Sequence, residues 1–572
     1  MTDGSDDGRE TKDDDGSSKC DGDEGGDSED GTPEPAPPDE SETAEPAAAD
    51  ENESAKPAPP DESEAAEGDA PAEGDDTMVA QSGITFGGEL IKKAFGFLVV
   101  AIITRLVSPG VYGLFVLATS VMHLLQVFAS AGLHRAIDYY VPQYLAADEP
   151  GKARGVTLQV FGLLLFTSSV TGVAMYLSAD WLATLFDEPA LAAGLRMLAI
   201  ALPLLAMFNG LLAGYNGIKR LKYRVYVRDL TRPTIRLLTT AALLIAGYGL
   251  LGIVGGYVVG LTASIILGGV LLLRHDALKG GTLGFTPVKE VLWYGVPLAL
   301  AGVIYVVMGQ VDYFVVGYFM SSDDVGIYRV GYMLAANLLV FFSSLAPVFK
   351  PLIAEERRDG DAVAERYRTA TRWVLGLSLP FAAILVLGAE VYLSIVFTPQ
   401  YTVASGAVLA LVAGYLISIT AGGPDGALLQ GLGYSRLVFV NSGILLLANV
   451  VFSVLLVPRY GILGAGLGTM TALTLSGTAA LLEVYYYRGI HPFTVDLGRI
   501  LLAWLPSLVA GGLVVWLIPD RFVVAALLPI VVLVTYALAG RAVGALRPRD
   551  LSVAERVAPE AVAARLRMYV SE

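Results

Sequence analysis

Apolar residues dominate positions 84–545, in runs too long and too continuous for strands. Fourteen such runs, separated by short polar breaks, fall at 86–107, 111–131, 155–177, 191–213, 228–247, 250–273, 291–319, 326–347, 371–396, 403–422, 437–457, 461–486, 499–518 and 522–544. A helix rising ~1.5 Å per residue needs about 20 residues to cross a hydrocarbon layer about 30 Å thick. Barrel strands would instead alternate over ~10 residues. The pattern predicts an all-α polytopic membrane protein of about 14 transmembrane helices.

Within these runs three short patterns occur twice, in the same order and at nearly one spacing. Tyr248-Gly249-Leu250-Leu251-Gly252 returns as Tyr460-Gly461-Ile462-Leu463-Gly464. Val111-Tyr112-Gly113-Leu114 returns as Val325-Gly326-Ile327-Tyr328, with Gly326 in the place of Gly113. Leu212-Ala213-Gly214 returns as Leu429-Gln430-Gly431. Repeated halves are a mark of transporters that rock one half against the other. The expected organisation is an N-terminal six-helix half at 83–274, a second at 288–487, and two extra helices at 497–545. Because six is even, both halves enter the membrane from the same side and lie parallel.

Charge sharpens this layout. The net charge is −17, yet residues 1–80 hold 29 Asp and Glu against Arg9, Lys12, Lys19 and Lys56, leaving about +8 for the remainder. The segment 1–82, poor in large apolar residues, is expected to be a disordered, acidic, cytoplasmic tail. Such acidity, with Arg far outnumbering Lys, fits a halophilic protein. No basic stretch followed by an apolar run opens the chain, so the first apolar segment is expected to direct insertion. With the N-terminus inside, the inner loops and the C-terminal tail carry about 28 Lys and Arg, and outer loops about four: Arg105, Arg329, Arg459 and Arg521. That bias predicts a multi-pass cell-membrane protein with both termini cytoplasmic. Ser552 to Glu555 has the form of a capping box, so 546–572 should be a cytoplasmic tail with a short amphipathic helix. The single cysteine, Cys20, excludes an intramolecular disulfide or thiolate metal site.

Several motifs are specific in combination. Gly88 with Lys92 and Lys93, the run Ala101-Ile102-Ile103-Thr104-Arg105-Leu106-Val107-Ser108-Pro109, and Tyr112-Gly113 resemble the first helix and exit turn of a known family. Gln310-Val311-Asp312-Tyr313 through Tyr328 is similar to its seventh helix, and Leu429-Gln430-Gly431 with Tyr434-Ser435-Arg436 to the end of its tenth. That family is the polysaccharide transporter (O-antigen flippase) branch of the multidrug/oligosaccharidyl-lipid/polysaccharide superfamily. The resemblance implies a MATE-like arrangement of two parallel six-helix halves. It also implies movement of a lipid-linked oligosaccharide or polysaccharide precursor from the cytoplasmic to the outer leaflet by alternating access.

Such cargo needs cations and hydrogen-bond donors facing an inner cavity, and intramembrane charge is costly enough to mark function. The substrate-binding candidates are Lys92, Lys93, Arg105, Gln310 and Asp312. Lys93 and Arg105 lie too close together for both to clear the core, so one or both face a wet interior or snorkel to an interface. Asp312 reads as a cavity carboxylate, with Arg105 a candidate partner, or else as a fixed ion pair or a carboxylate at the outer interface. Arg135, Arg228, Arg232 and Arg236 are candidates for an electrostatic entrance for phosphate, with positive-inside topology alone as the other reading. His123, Asn337, Asn441, Asn449 and Glu483 read as interhelical glue. Pro203, Pro297, Pro380 and Pro424 should break or kink their helices.

No catalytic residue, metal site or cofactor is expected, and the coupling ion, proton or sodium, stays open. The expected partners are a lipid-linked glycan, the bilayer, and glycosyltransferases or a polymerase of the same pathway, with no nucleic acid. The alternatives are a drug or metabolite antiporter of the same superfamily, and a membrane glycan polymerase or glycosyltransferase. The latter would need a large loop carrying acid–base or metal carboxylates, and none of the loops is that long.

Overall fold

The computed structural model describes residues 93–275, 279–421 and 425–545. The acidic segment 1–82, Lys92, Pro424 and the 546–572 segment lie outside the described residues, where every regular element is helical. The first half comprises α1 (93–106), α2 (Pro109–Ser130), α3 (Leu133–Ala146), α4 (Pro150–Leu177), α5 (Ala179–Leu185), α6 (Pro189–Ala199), α7 (Ala201–Gly217), α8 (Leu221–Val225), α9 (Arg232–Ile245) and α10 (Gly249–Leu273). The second comprises α11 (Val288–Met308), α12 (Val311–Phe319), α13 (Ser322–Ala336), α14 (Val340–Glu355), α15 (Gly360–Tyr392), α16 (Ser405–Ala421), α17 (Asp425–Gly431), α18 (Ser435–Tyr460) and α19 (Ile462–Arg488). The last two helices, α20 (Val495–Leu517) and α21 (Arg521–Ala542), pack on each other and on α15.

Among the described residues, eleven helices are long and apolar enough to cross a membrane, or twelve if α6 and α7, bent by 41°, form one span. The expected fourteen are not reached among the described residues. Segment 86–107 is represented by α1, whose described part is too short to span. Segment 228–247 lies in an unbroken helix that runs from α8 through a π-helical stretch at Tyr226–Thr231 into α9; it is long enough to span but carries Arg228, Asp229, Arg232 and Arg236. Segment 291–319 is divided, into α11 and α12, at Gly309-Gln310.

The recurring glycines have a mechanical meaning. In α10, a Cβ on Gly256 would lie 1.9 Å from Thr240 Oγ1 of α9. At the equivalent place in the second repeat, a Cβ on Gly468 of α19 would lie 2.5 Å from Ser453 Oγ of α18. Both repeats therefore encode the same close helix crossing, of the small-residue kind that brings backbones together in a bilayer. The other aligned pair meets directly: a Cβ on Gly113 would sit 1.7 Å from the Ser322 carbonyl oxygen, and one on Gly326 2.2 Å from that of Pro109. Helices α2 and α13, equivalent by the repeat, thus close on one another where the halves join. Both start with a serine cap: Ser108 ahead of Pro109, and Ser321 in a capping box with Asp324.

A second contact between halves lies past the far end of α2. Ala131 and Gly132 both take left-handed backbone, turning the chain into α3. Tyr139 of α3 stacks on Tyr294 of α11 at 4.4 Å, and the Tyr144 hydroxyl lies 2.9 Å from Thr286 Oγ1. Between the two contacts the halves enclose space.

Candidate functional site

One stripe of α2 lines that space. Tyr112, Phe115, Val116, Thr119, Ser120 and His123 face a cavity of about 350 Å³, and His123, Gln126, Val127 and Ser130 face one of about 540 Å³. Spacings of three and four residues keep these side chains on one helix face, over about 27 Å of its length. His123 and Gln310 line both cavities, so the two are adjoining compartments. Helix α11 contributes Leu298, Ala299, Gly302, Tyr305 and Val306 to the larger one.

The lining is cationic. Lys93, Arg236 and Arg329 face the smaller compartment, Arg135 and Arg232 the larger, and neither lining includes an Asp or Glu among the described residues. Aromatic rings, in place of carboxylates, hold three of the guanidinium groups, those of Arg232, Arg236 and Arg329. Arg236 lies 5.1 Å from the Tyr257 ring centre and 5.8 Å from that of Phe115. Arg232 lies 4.8 Å from the ring of Phe208, and its Nη2 donates to the Tyr257 hydroxyl at 3.3 Å. Arg329 lies over Tyr313 at 5.2 Å and donates to its hydroxyl. A ring face attracts a cation, by ~0.5–2 kcal/mol, without neutralising it. Arg236 Nε is buried and has no hydrogen-bond partner. The compartments therefore present positive charge and unused donors.

The candidates named from sequence separate on this frame. Lys93, Gln310, Arg135, Arg232 and Arg236 line the compartments. Arg228 does not; it forms an ion pair with the buried Asp229 at 2.7 Å. Arg105 is exposed, and its guanidinium reaches across to the second half, donating to the carbonyls of Ile395 and Val396, the latter at 2.9 Å. Those carbonyls belong to a π-helical end of α15 (Leu393–Phe397), where the regular ladder leaves acceptors unused. The expected pairing of Arg105 with Asp312 is absent for that reason.

Asp312 is 5% exposed and sits behind the compartments, among α12, α13 and α19. Tyr328 and Thr469 hydroxyls donate to its Oδ2 at 2.7 and 2.9 Å, and Asn449 Nδ2 donates to Thr469 at 3.0 Å. Its Oδ1, Asn449 Oδ1 and Ser453 Oγ are buried without hydrogen-bond partners. Asn441 donates to Glu483 at 2.7 Å between α18 and α19, as interhelical glue should. His123 departs from that role and lines both compartments.

Charge counting assigns Arg329 to an outer loop, and the structure corrects this. The capping box at Ser321 and Asp324 starts α13 at Ser322, placing Arg329 two turns inside the helix. Tyr112 and Tyr313 enter the sequence reading only as parts of motifs and Tyr257 not at all, since a tyrosine in an apolar run carries no pattern that marks it as a partner of a guanidinium. Outside the spans, His134 at the start of α3 is pushed down to about 4 by its burial, with the Arg135 charge adding to the effect. It faces the larger compartment as a neutral imidazole at ordinary pH.

A helical membrane body with repeated helix pairs, closed around an anion-attracting cavity, defines a polytopic transporter fold. Residues 102–406 match the model of the polysaccharide biosynthesis protein family, and the chain belongs to that family. Its fold is similar to that of the lipid II flippase MurJ in an inward closed conformation, with a TM-score of 0.63, 16% identity, and coverage of 81% of this chain and 99% of that one. An inward-facing multidrug resistance MATE family transporter of the MOP superfamily (the multidrug/oligosaccharidyl-lipid/polysaccharide group) is also similar, with a TM-score of 0.58 and 14% identity, over 70% of this chain and 94% of that one. By sequence, the capsular polysaccharide biosynthesis protein CapF of Staphylococcus aureus is 26% identical over 35% of this chain and 50% of its own. The probable low-salt glycan biosynthesis flippase Agl15 of Haloferax volcanii is 24% identical over 38% of this chain and 45% of its own. The chain thus spans half or less of the length of these curated relatives.

Proposed function

We propose that this protein is a flippase that carries a lipid-linked oligosaccharide or polysaccharide precursor from the cytoplasmic to the outer leaflet by alternating access. The observation that carries the reading is the compartment lining: five Lys and Arg side chains, no carboxylate among the described residues, and guanidinium groups held by rings. Such a surface favours the phosphate or pyrophosphate of a lipid-linked sugar. It disfavours the cationic compounds that a drug antiporter of the same fold would carry. The family's named relatives, in capsule and glycan biosynthesis, support the same cargo class.

In this reading the α2–α13 contact closes the outer end of the cavity and the α3–α11 contact the inner end, the side where basic loops place the cytoplasm. Parting one contact while the other holds exposes the cations to one side at a time. Asp312, buried beside unpartnered oxygens, is the group through which a proton or sodium ion would couple to this motion. Glycosyltransferases supply the cargo, and a polymerase or transferase outside consumes it.

Deleting the gene tests the proposal. Lipid-linked glycan should still be made but remain on the cytoplasmic leaflet, inaccessible to an external glycan-specific lectin. Disappearance of the lipid-linked pool would point instead to a synthetic enzyme.

A further inference from the structure

The two compartments differ in chemistry as well as size. The smaller one has three cations, Lys93, Arg236 and Arg329, beside the neutral Thr119, Ser120 and Asn337. The larger one has two, Arg135 and Arg232, and adds buried neutral groups that can donate and accept and have no partner. Gln126, 9% exposed, lines it with neither amide atom hydrogen-bonded, and His134 Nδ1 is likewise buried and unpartnered. Asn209 and Gln310 face the same space.

A carboxamide carries two donors and an acceptor oxygen with two lone pairs. A fully ionised phosphate would satisfy the donors and repel that oxygen. A lipid tail would satisfy neither. Sugar hydroxyls, each a donor and an acceptor, satisfy both. We infer that the compartment around Gln126 is a subsite for the sugar joined directly to the phosphate, with Gln126 as its selecting residue. This rests on the phosphate reading of the smaller compartment.

The layout fits a ligand that spans the two. His123 and Gln310 border both compartments, and Gln126 lies one turn beyond His123 on the same face of α2, about 10 Å from Thr119 along the axis. A volume of about 540 Å³ is in the range of small-ligand pockets. It suits the sugar nearest the phosphate rather than a whole glycan. Selection would therefore act on the first sugar, whatever the length of the chain beyond it.

The test uses the purified full-length protein and measures binding of inorganic phosphate and of a panel of hexose and N-acetylhexosamine 1-phosphates. At least one sugar phosphate should bind about tenfold more tightly than phosphate. Gln126→Leu should abolish that margin and leave phosphate affinity unchanged, whereas Arg236→Met should weaken phosphate and sugar phosphates in parallel. Retained phosphate binding also shows that the Gln126→Leu protein is folded. A panel in which no sugar phosphate outbinds phosphate overturns the inference, as does a Gln126→Leu protein that weakens both alike. Absence of phosphate binding to the unaltered protein would remove the phosphate reading itself, and the subsite with it.

Discussion

Replacing Arg236 by Met separates a charge kept for cargo from one kept for the fold. Its guanidinium has two rings and an unpartnered, buried Nε. The rings return ~0.5–2 kcal/mol, while an unmade buried hydrogen bond costs ~1–3 kcal/mol. These terms nearly cancel, and Met keeps the apolar stem against Phe115 and Tyr257. Loss of the charge should therefore leave thermal stability unchanged or raise it by about one to a few degrees. Ligand affinity should move the other way. A hydrogen bond to a charged group is worth ~1.5–3 kcal/mol, so pyrophosphate binding should weaken roughly 10- to 100-fold. Differential scanning fluorimetry and isothermal titration on the same detergent-solubilised sample give both numbers. A variant that melts several degrees lower yet binds pyrophosphate normally would show Arg236 to be structural, and the reasoning would fail.

Arg105→Met should behave oppositely: it strips donors from the Ile395 and Val396 carbonyls, so melting should drop, by ~1–3 kcal/mol of stability, with pyrophosphate affinity intact in titration. Gly256→Leu should sharply reduce the folded yield in size-exclusion profiles, since its Cβ would strike Thr240, whereas Gly269→Leu on the same helix, with open space around it, should be tolerated. His134 titrates near 4 when folded and near 6.5 when free. The unfolded chain therefore binds the extra proton between those values, so stability is full above pH 6.5 and declines as pH falls toward 4. The decline, on the order of 3 kcal/mol, should be absent from the pH–melting profile of His134→Gln.

The apolar runs and the repeat are legible because a bilayer imposes length and composition locally, and because duplicated helix crossings demand the same small residues at the same spacing. Gly256 and Gly468 show that correspondence at atomic level. The site is legible only in part. Lys93, Gln310, Arg232 and Arg236 stand out as charges or amides in or beside apolar sequence. What holds Arg236 comes from Phe115 and Tyr257 on other helices, and no local pattern announces that meeting. Arg105 is visible as a candidate intramembrane charge, yet its partners are carbonyls released by a π-helical turn in the other half of the molecule. Positive-inside counting treats Arg329 as a loop residue, although the Ser321–Asp324 capping box marks the earlier helix start. The span count stays below fourteen among the described residues where charge enters a helix: Arg228, Asp229, Arg232 and Arg236 lower the apolar character of the continuous helix at 221–245.

The central claim is that the cationic cavity between the halves carries a lipid-linked glycan outward. The most direct measurement places the purified protein in liposomes with lipid-linked glycan in the inner leaflet, and follows its exposure to an external glycosidase over time. The account predicts accelerated exposure with the unaltered protein and near-background exposure with the Arg236→Met, Arg329→Met double variant at equal reconstitution. Equal exposure rates for the two proteins would contradict it.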